Sequence, residues 1–431
     1  MNCRLRIGAW GTAAGTVLML TVASAAPQTT AIRVGRLIDT DTVTATERQT
    51  ILVVDGIIQA VGPNVQVPAG AIIVDLSDST VFPGLMDAHT HLCLTVRPSR
   101  DGSSASAFLH ATINDSNAAR AVEGVVNARA MLEAGFTTVR DAGNEGNYAC
   151  VAVRRAIEER RLVGPTMITS GRIITPFGGQ FQIQPDRRGL MEPEYLLADS
   201  HDEMVKAIRE NIYFGAGLIK IVVDDRPYLY SVDDIAFMKA EAARAGLRVA
   251  AHVWTAEGAH NAAAVGVASL EHLWAIKEED LELAKKNGSV AVFTPLIDAE
   301  TQILMPNESG VHAQQIGRIR AALRIGIPIA FGSDAPLALP GFDRGRLAIE
   351  RIDMLLEAGM TPAQLLRSMT VIPAGLFGVA DKRGALRPGM AADIVATKGN
   401  PLSDPRALKA ITFVMKDGTI VVRRLSGRGH G

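Results

Sequence analysis

Apolar and polar positions alternate along Ala31–Ile38 and again along Thr50–Val61, around the turn signals Asp55-Gly56 and Gly62-Pro63-Asn64. A period of two marks short antiparallel strands with one buried face. The pattern returns at the other end of the chain, in Asp393–Thr397, Ile411–Lys416 and Thr419–Arg423, where Asp417-Gly418 predicts a hairpin turn between the last two. Together the two ends predict one composite β-sandwich, built from residues 26–80 and 381–431.

From 81 to 380 the pattern changes to short apolar, β-branched runs separated by amphipathic stretches, which predicts a parallel sheet flanked by helices. The runs are Val81–Met86, Phe136–Arg140, Thr166–Thr169, Leu218–Val223, Arg248–His252, Ser269–Glu271, Ser289–Phe293 and Pro328–Gly332. Helix Asp115–Ala134 ends at Gly135. Helix Val232–Ala245 starts at a Ser231 cap, with Asp234 three residues on, and stops at Gly246; Thr361-Pro362 opens another after the last strand. Eight strand–helix units over this length predict an α/β fold, a (β/α)8 TIM barrel rather than a doubly wound sheet.

With 431 residues, 48% of them hydrophobic, the chain can bury a sizeable core, which excludes a disordered polypeptide. Its 44 basic and 45 acidic side chains nearly cancel, so nothing resembles the footprint of a nucleic-acid binder. Arg4 and Arg6 precede an apolar stretch from Ala13 to Ala23, and Ala23-Ser24-Ala25 has the small-x-small form of a cleavage site. This predicts a signal peptide over residues 1–25 and export to the periplasm or outside the cell. The alternative is a membrane anchor, for which the run is short of the roughly 20 residues a bilayer requires. Since no later segment reads as membrane-spanning, no stable anchor is expected after cleavage. Cys3 falls within the signal. Cys93 and Cys150 could pair in an oxidising compartment, but two cysteines make no framework and the sequence does not bring them together, so two buried free thiols are the expectation.

Barrel enzymes carry their chemistry at the C-terminal ends of the strands. The first run ends in Asp87-Ala88-His89-Thr90-His91, the fourth contains Lys220, the fifth ends at His252, the sixth runs into His272 and the eighth into Asp334. His89 and His91, two apart on an extended segment, share a face, and His252 and His272 come from neighbouring strands. Four imidazoles and a carboxylate are a transition-metal donor set, suited to Zn, Mn, Co or Fe rather than Ca or Mg. Lys220, between Ile219 and Ile221, is costly to keep charged and must be neutralised, paired or modified. Arg140-Asp141, ending the second run, reads as a structural salt bridge. His110, His201, His260, His312 and His430 fall on helices, loops or the tail and are read as non-ligands.

This ordered set resembles the amidohydrolase superfamily. The segments Gly135-Phe136-Thr137-Thr138-Val139-Arg140-Asp141, Leu270-Glu271-His272, Gly332-Ser333-Asp334 and Gly384–Asp393 are similar to the binuclear branch related to imidazolonepropionases, Xaa-Pro dipeptidases and ochratoxin-hydrolysing enzymes. The resemblance implies two divalent metal ions, with zinc the expected metal. One would be held by His89, His91 and Asp334, the other by His252 and His272, with N6-carboxylated Lys220 bridging them. It also implies attack by a metal-activated hydroxide, with Asp334 as general base and then general acid. Tyr228, in the loop after the fourth strand, is the candidate for stabilising the developing oxyanion. Arg172, Arg187, Arg188 and Arg226 are candidates for clamping a substrate carboxylate. Where relatives often carry a histidine after Gly178-Gly179, this chain has Gln180.

The expected activity is hydrolysis of an amide bond in a dipeptide or N-acyl amino acid, a small-molecule substrate with a free carboxylate. The alternatives are a lactone, ester or cyclic amide at the same site, or a non-catalytic barrel. A homo-oligomer is compatible with the sequence.

Overall fold

The computed structural model describes residues 28–98, 104–180, 184–225 and 228–424. The expected signal peptide, Arg226 and His430 lie outside the described residues.

Seven strands form one mixed sheet, with Thr29–Asp39, Thr44–Val54, Ile57–Gly62 and Ile72–Pro83 from the N-terminal part and Ile394–Thr397, Ile411–Lys416 and Thr419–Arg423 from the C-terminal part. The two ends of the chain meet where Val81 pairs with Ala396. Rather than two separate sheets, this single sheet folds over itself: Ile58 N–H donates to Met390 O and Ala392 N–H to Gly56 O. Alternate residues such as Ile32 and Val34, Ile51 and Val53, and Ile394 and Ala396 fill the interior around Phe413. That is the outcome a period of two dictates when one face is dry. The opposite face of the C-terminal strands, with Val395, Ile411 and Val414, joins the larger core of the helical unit.

The expected Val81–Met86 strand is divided. Val81–Pro83 stays in the terminal sheet, and Leu85–Thr90 is the first barrel strand. Gly84 marks the break, because a side chain there would run into Thr137. Leu85–Thr90, Phe136–Asp141 and Thr166–Thr169 make one parallel arc. Ile173–Thr175, Ile219–Val222, Val249–His252, Ser269–Glu271 and Val290–Val292 make a second, with Tyr195–Leu197 at its edge. Gly217 N–H donating to Thr169 O joins the arcs on one side. On the other, the expected eighth strand is an extended segment bridged through Ile329 to Ala291. It reaches the first strand through Ala88 N–H to Phe331 O and Asp334 N–H to His89 O. Phe136 and Phe331 stack below, ring centres 5.7 Å apart.

Helices cover the outside and start where local chemistry says they should. Ser231 and Asp234 form a reciprocal capping box for Val232–Ala243, and Thr361 and Gln364 do the same for Pro362–Ser368. Among the described residues no helix is long and apolar enough to cross a membrane.

The cysteine expectation is overturned. Cys93 and Cys150 form a disulfide, with Cα atoms 5.7 Å apart. Cys93 follows the first barrel strand and Cys150 lies in helix Ala149–Glu158, after the second; the parallel pairing of those strands brings them together.

Candidate metal centre

At the C-terminal mouth of the barrel, His91, Lys220, His252, His272 and Asp334 line one cavity of about 200 Å³. His89 lies buried beneath it, its ring 4.7 Å from that of His272. Each donor is aimed by a neighbour. Asp87 accepts from the backbone N–H of both His89 and Ser333, tying the first strand to the eighth segment. Nδ1 of His89 lies 2.7 Å from Glu271 Oε2, and Nδ1 of His91 lies 2.7 Å from Gly143 O. Gly143 sits at a φ of 104°, where a side chain would strike Ile173, so glycine is required for this carbonyl to be presented. His272 Nδ1 is 2.8 Å from Thr294 Oγ1.

The tautomers follow from these partners. A carbonyl and a carboxylate can only accept, so His89 and His91 each protonate Nδ1 and leave a lone pair on Nε2. The two Nε2 atoms lie 3.2 Å apart, and His91 Nε2 is 3.3 Å from Asp334 Oδ1. Three electron-pair donors turned toward one another repel unless a cation lies among them. Buried His252 Nε2 makes no hydrogen bond, although Asp225 Oδ2 is 3.3 Å away. His89, His272 and Asp334 also present ligand atoms within 4.8 Å of one another. The residues present therefore fit divalent metal ions.

Burial pushes the pKa values of His89 and His272 well below the ordinary imidazole value and lowers that of His91, keeping all three neutral and able to donate electron pairs. Lys220 is 2% exposed. Burial pulls its pKa down to about 8 against the attraction of Glu271 and Asp334. The backbone is unusual at the mouth: His272, Leu273 and Asp334 have φ values of 66°, 54° and 43°, a left-handed conformation that side chains rarely adopt.

A family model described as the amidohydrolase family matches residues 80–422. The chain belongs to the amidohydrolase family. It is 29% identical over 412 residues to the ochratoxinase of Aspergillus niger, covering 86% of this chain and 82% of that protein. It is 26% identical over 380 residues to the imidazolonepropionase of Deinococcus deserti, covering 82% and 86%. Among solved structures, a Xaa-Pro dipeptidase with bound methionine in the active site superposes with a TM-score of 0.78 at 27% identity, covering 91% of this chain and 99% of that one. This amidohydrolase thus shares fold and family with hydrolases of C–N bonds, a family that uses metal ions.

Other sequence candidates fall elsewhere. Tyr228 is 75% exposed and does not line the cavity. Arg172 is engaged by Glu210 and the Glu192 carbonyl. Arg187 and Arg188 are exposed on the short turn Pro185–Leu190. Arg140 does not pair with Asp141: it reaches across the barrel to Glu271, Ser269 Oγ and Ala88 O, while Asp141 accepts from Leu92 N–H. His110, His201, His260 and His312 contact Asn114, Asp234, Asp280 and Glu357 respectively, outside the cavity. Gln180 does line it, donating to Asp225 Oδ2 and accepting from Tyr195 O–H. Sequence reasoning missed Glu271, Gly143, Thr294 and Asp225 as supports, and Trp254 and Trp274 as cavity walls. The repeated spacing His252-x-Trp254 and His272-x-Trp274 was the available signal for the walls.

Proposed function

We propose that the protein is an exported, binuclear metal-dependent amidohydrolase that cleaves the amide bond of a dipeptide or N-acyl amino acid. The observation that carries this reading is the set of inward-turned lone pairs of His89, His91 and Asp334, at a cavity that His91 and Asp334 line with Lys220, His252 and His272. His89, His91 and Asp334 would hold one divalent cation, expected to be zinc, and His252 and His272 a second, with N-carboxylated Lys220 between them. Bound cations bring the pKa of water into the neutral range and polarise the scissile carbonyl.

The side chains do the rest. CO2 adds to the neutral Lys220 amine, forming an N–C bond and releasing a proton. The buried neutral amine thereby becomes an anionic ligand, its proton passing to solvent, and no ammonium has to be kept there. Asp334 takes the proton of the attacking water and returns it to the leaving nitrogen as the C–N bond breaks, the two half-reactions a carboxylate can serve. Phe108, Trp254, Trp274, Leu296 and Met305 give the cavity apolar walls that exclude bulk water and favour a bulky apolar group on the substrate. The bound methionine of the dipeptidase relative supports an amino-acid product. Export is supported by the disulfide, a bond that persists in oxidising compartments.

The test is a panel of dipeptides and N-acyl amino acids beside lactones, run with zinc-loaded protein. Amide turnover is expected, lost on chelation and restored by zinc; Lys220→Ala is expected to be inactive and partly rescued by short-chain carboxylic acids. Turnover of lactones with no amide cleaved, or full activity after verified metal removal, overturns the reading.

A further inference from the structure

His272 leaves its strand through two consecutive left-handed residues, His272 at 66° and Leu273 at 54°. Neither is a glycine, and such a pair persists only where surrounding structure over-determines it. The Leu273 side chain is fully buried, which anchors one side of the turn. The other side is held by Arg318, on helix Val311–Ile325. Nη1 of Arg318 donates to both carbonyls of the turn, His272 O at 3.1 Å and Leu273 O at 2.9 Å. Its guanidinium carbon lies 4.4 Å from the centre of the Trp274 ring, and Trp274 stacks on Trp254, ring centres 4.8 Å apart and 5° from parallel. Gln314, one turn earlier on the same helix, donates to Trp274 O.

Arg318 is an expensive residue to place here. Among the described residues no carboxylate pairs with it, and its Nε is buried without a hydrogen-bond partner. A cation beside a centre that gathers cations also opposes metal binding electrostatically. Neither core packing nor charge balance accounts for it, whereas its geometry does: one nitrogen satisfies two adjacent carbonyls while the flat face of the guanidinium rests on an indole, a stacking that a lysine ammonium cannot reproduce.

We infer that Arg318 is the positioning residue for His272, locking the left-handed His272–Leu273 turn so that the imidazole faces the cavity, with the Trp274–Trp254 stack as its platform. This rests on the reading that His272 holds a divalent cation.

The test needs no substrate. Arg318→Met and Arg318→Lys proteins, stripped of metal, are titrated with Zn2+ by calorimetry, alongside wild type, while tryptophan fluorescence follows the stack and a thermal melt reports folding. Wild type is expected to bind two ions. Arg318→Met, folded, is expected to bind one of the two at least tenfold less tightly with an altered fluorescence spectrum, and Arg318→Lys to fall between. Should Arg318→Met fail to fold, Arg318→Lys decides alone. Wild-type zinc affinity in a folded variant overturns the inference, whereas a wild type that binds no zinc overturns the metal reading itself.

Discussion

Glu271 divides its two oxygens between Arg140 and His89, both buried. Its role at the centre is to hold the Nδ1 proton of His89 so that Nε2 stays free, and to raise the basicity of that ring. A glutamine in its place keeps the shape but cannot accept from both partners: its amide nitrogen would face either a guanidinium or an N–H. Glu271→Gln is therefore expected to lower kcat/KM and metal affinity by about 10- to 100-fold. Stability should also fall, by up to about 3–5 kcal/mol, because Arg140 loses its buried counter-charge. Elemental analysis of purified protein and a thermal melt check both; full metal content in the variant would show that the His89 tautomer is fixed by something else.

At the level of elements, the eighth segment passes close to both the first strand and Val292 at Gly332. A methyl group there would stand 2.6 Å from Val292 Cγ1 and 3.0 Å from His89 Cβ. Both are closer than packed carbon atoms tolerate, so either the segment or His89 must move. Gly332→Ala is expected to lose metal and activity while retaining most of its secondary structure, and adding Val292→Ala should recover part of the metal by removing the tighter contact. Zinc stoichiometry alongside circular dichroism distinguishes this from global unfolding; an unchanged stoichiometry would mean the segment yields without disturbing the ligand.

For the molecule as a whole, the Cys93–Cys150 disulfide ties the loop after the first barrel strand to the helix after the second, across 57 residues of chain. Constraining a loop of that length in the unfolded state is worth about 4 kcal/mol in the chain-entropy account. A Cys93→Ser, Cys150→Ser protein, or the reduced wild type, is expected to melt about 5 °C lower. His91 lies two residues before Cys93, so zinc retention should fall as well; scanning calorimetry with and without reductant reads the first effect and metal analysis the second.

What the sequence determined by itself was local. Strand-terminal polar residues, the capping boxes at Ser231 and Thr361 and the alternation at the two ends of the chain are legible because each is a relation between residues a few positions apart. The same reading named His91, Lys220, His252, His272 and Asp334, which line the cavity at the mouth of the barrel, and His89 beneath it, but not Glu271 and Asp225 beside them. Partnership was decided only by the tertiary structure. Arg140 sits beside Asp141 in the chain yet pairs with Glu271, 131 residues away, because the two side chains meet in the barrel interior. Tyr228, Arg172, Arg187 and Arg188 do not line the cavity, since a loop residue's direction depends on what the rest of the fold leaves open. The disulfide joins two cysteines that periodicity could not relate. Pattern along a chain reports which way a residue faces within its own element; which element it then meets is set by packing among all of them.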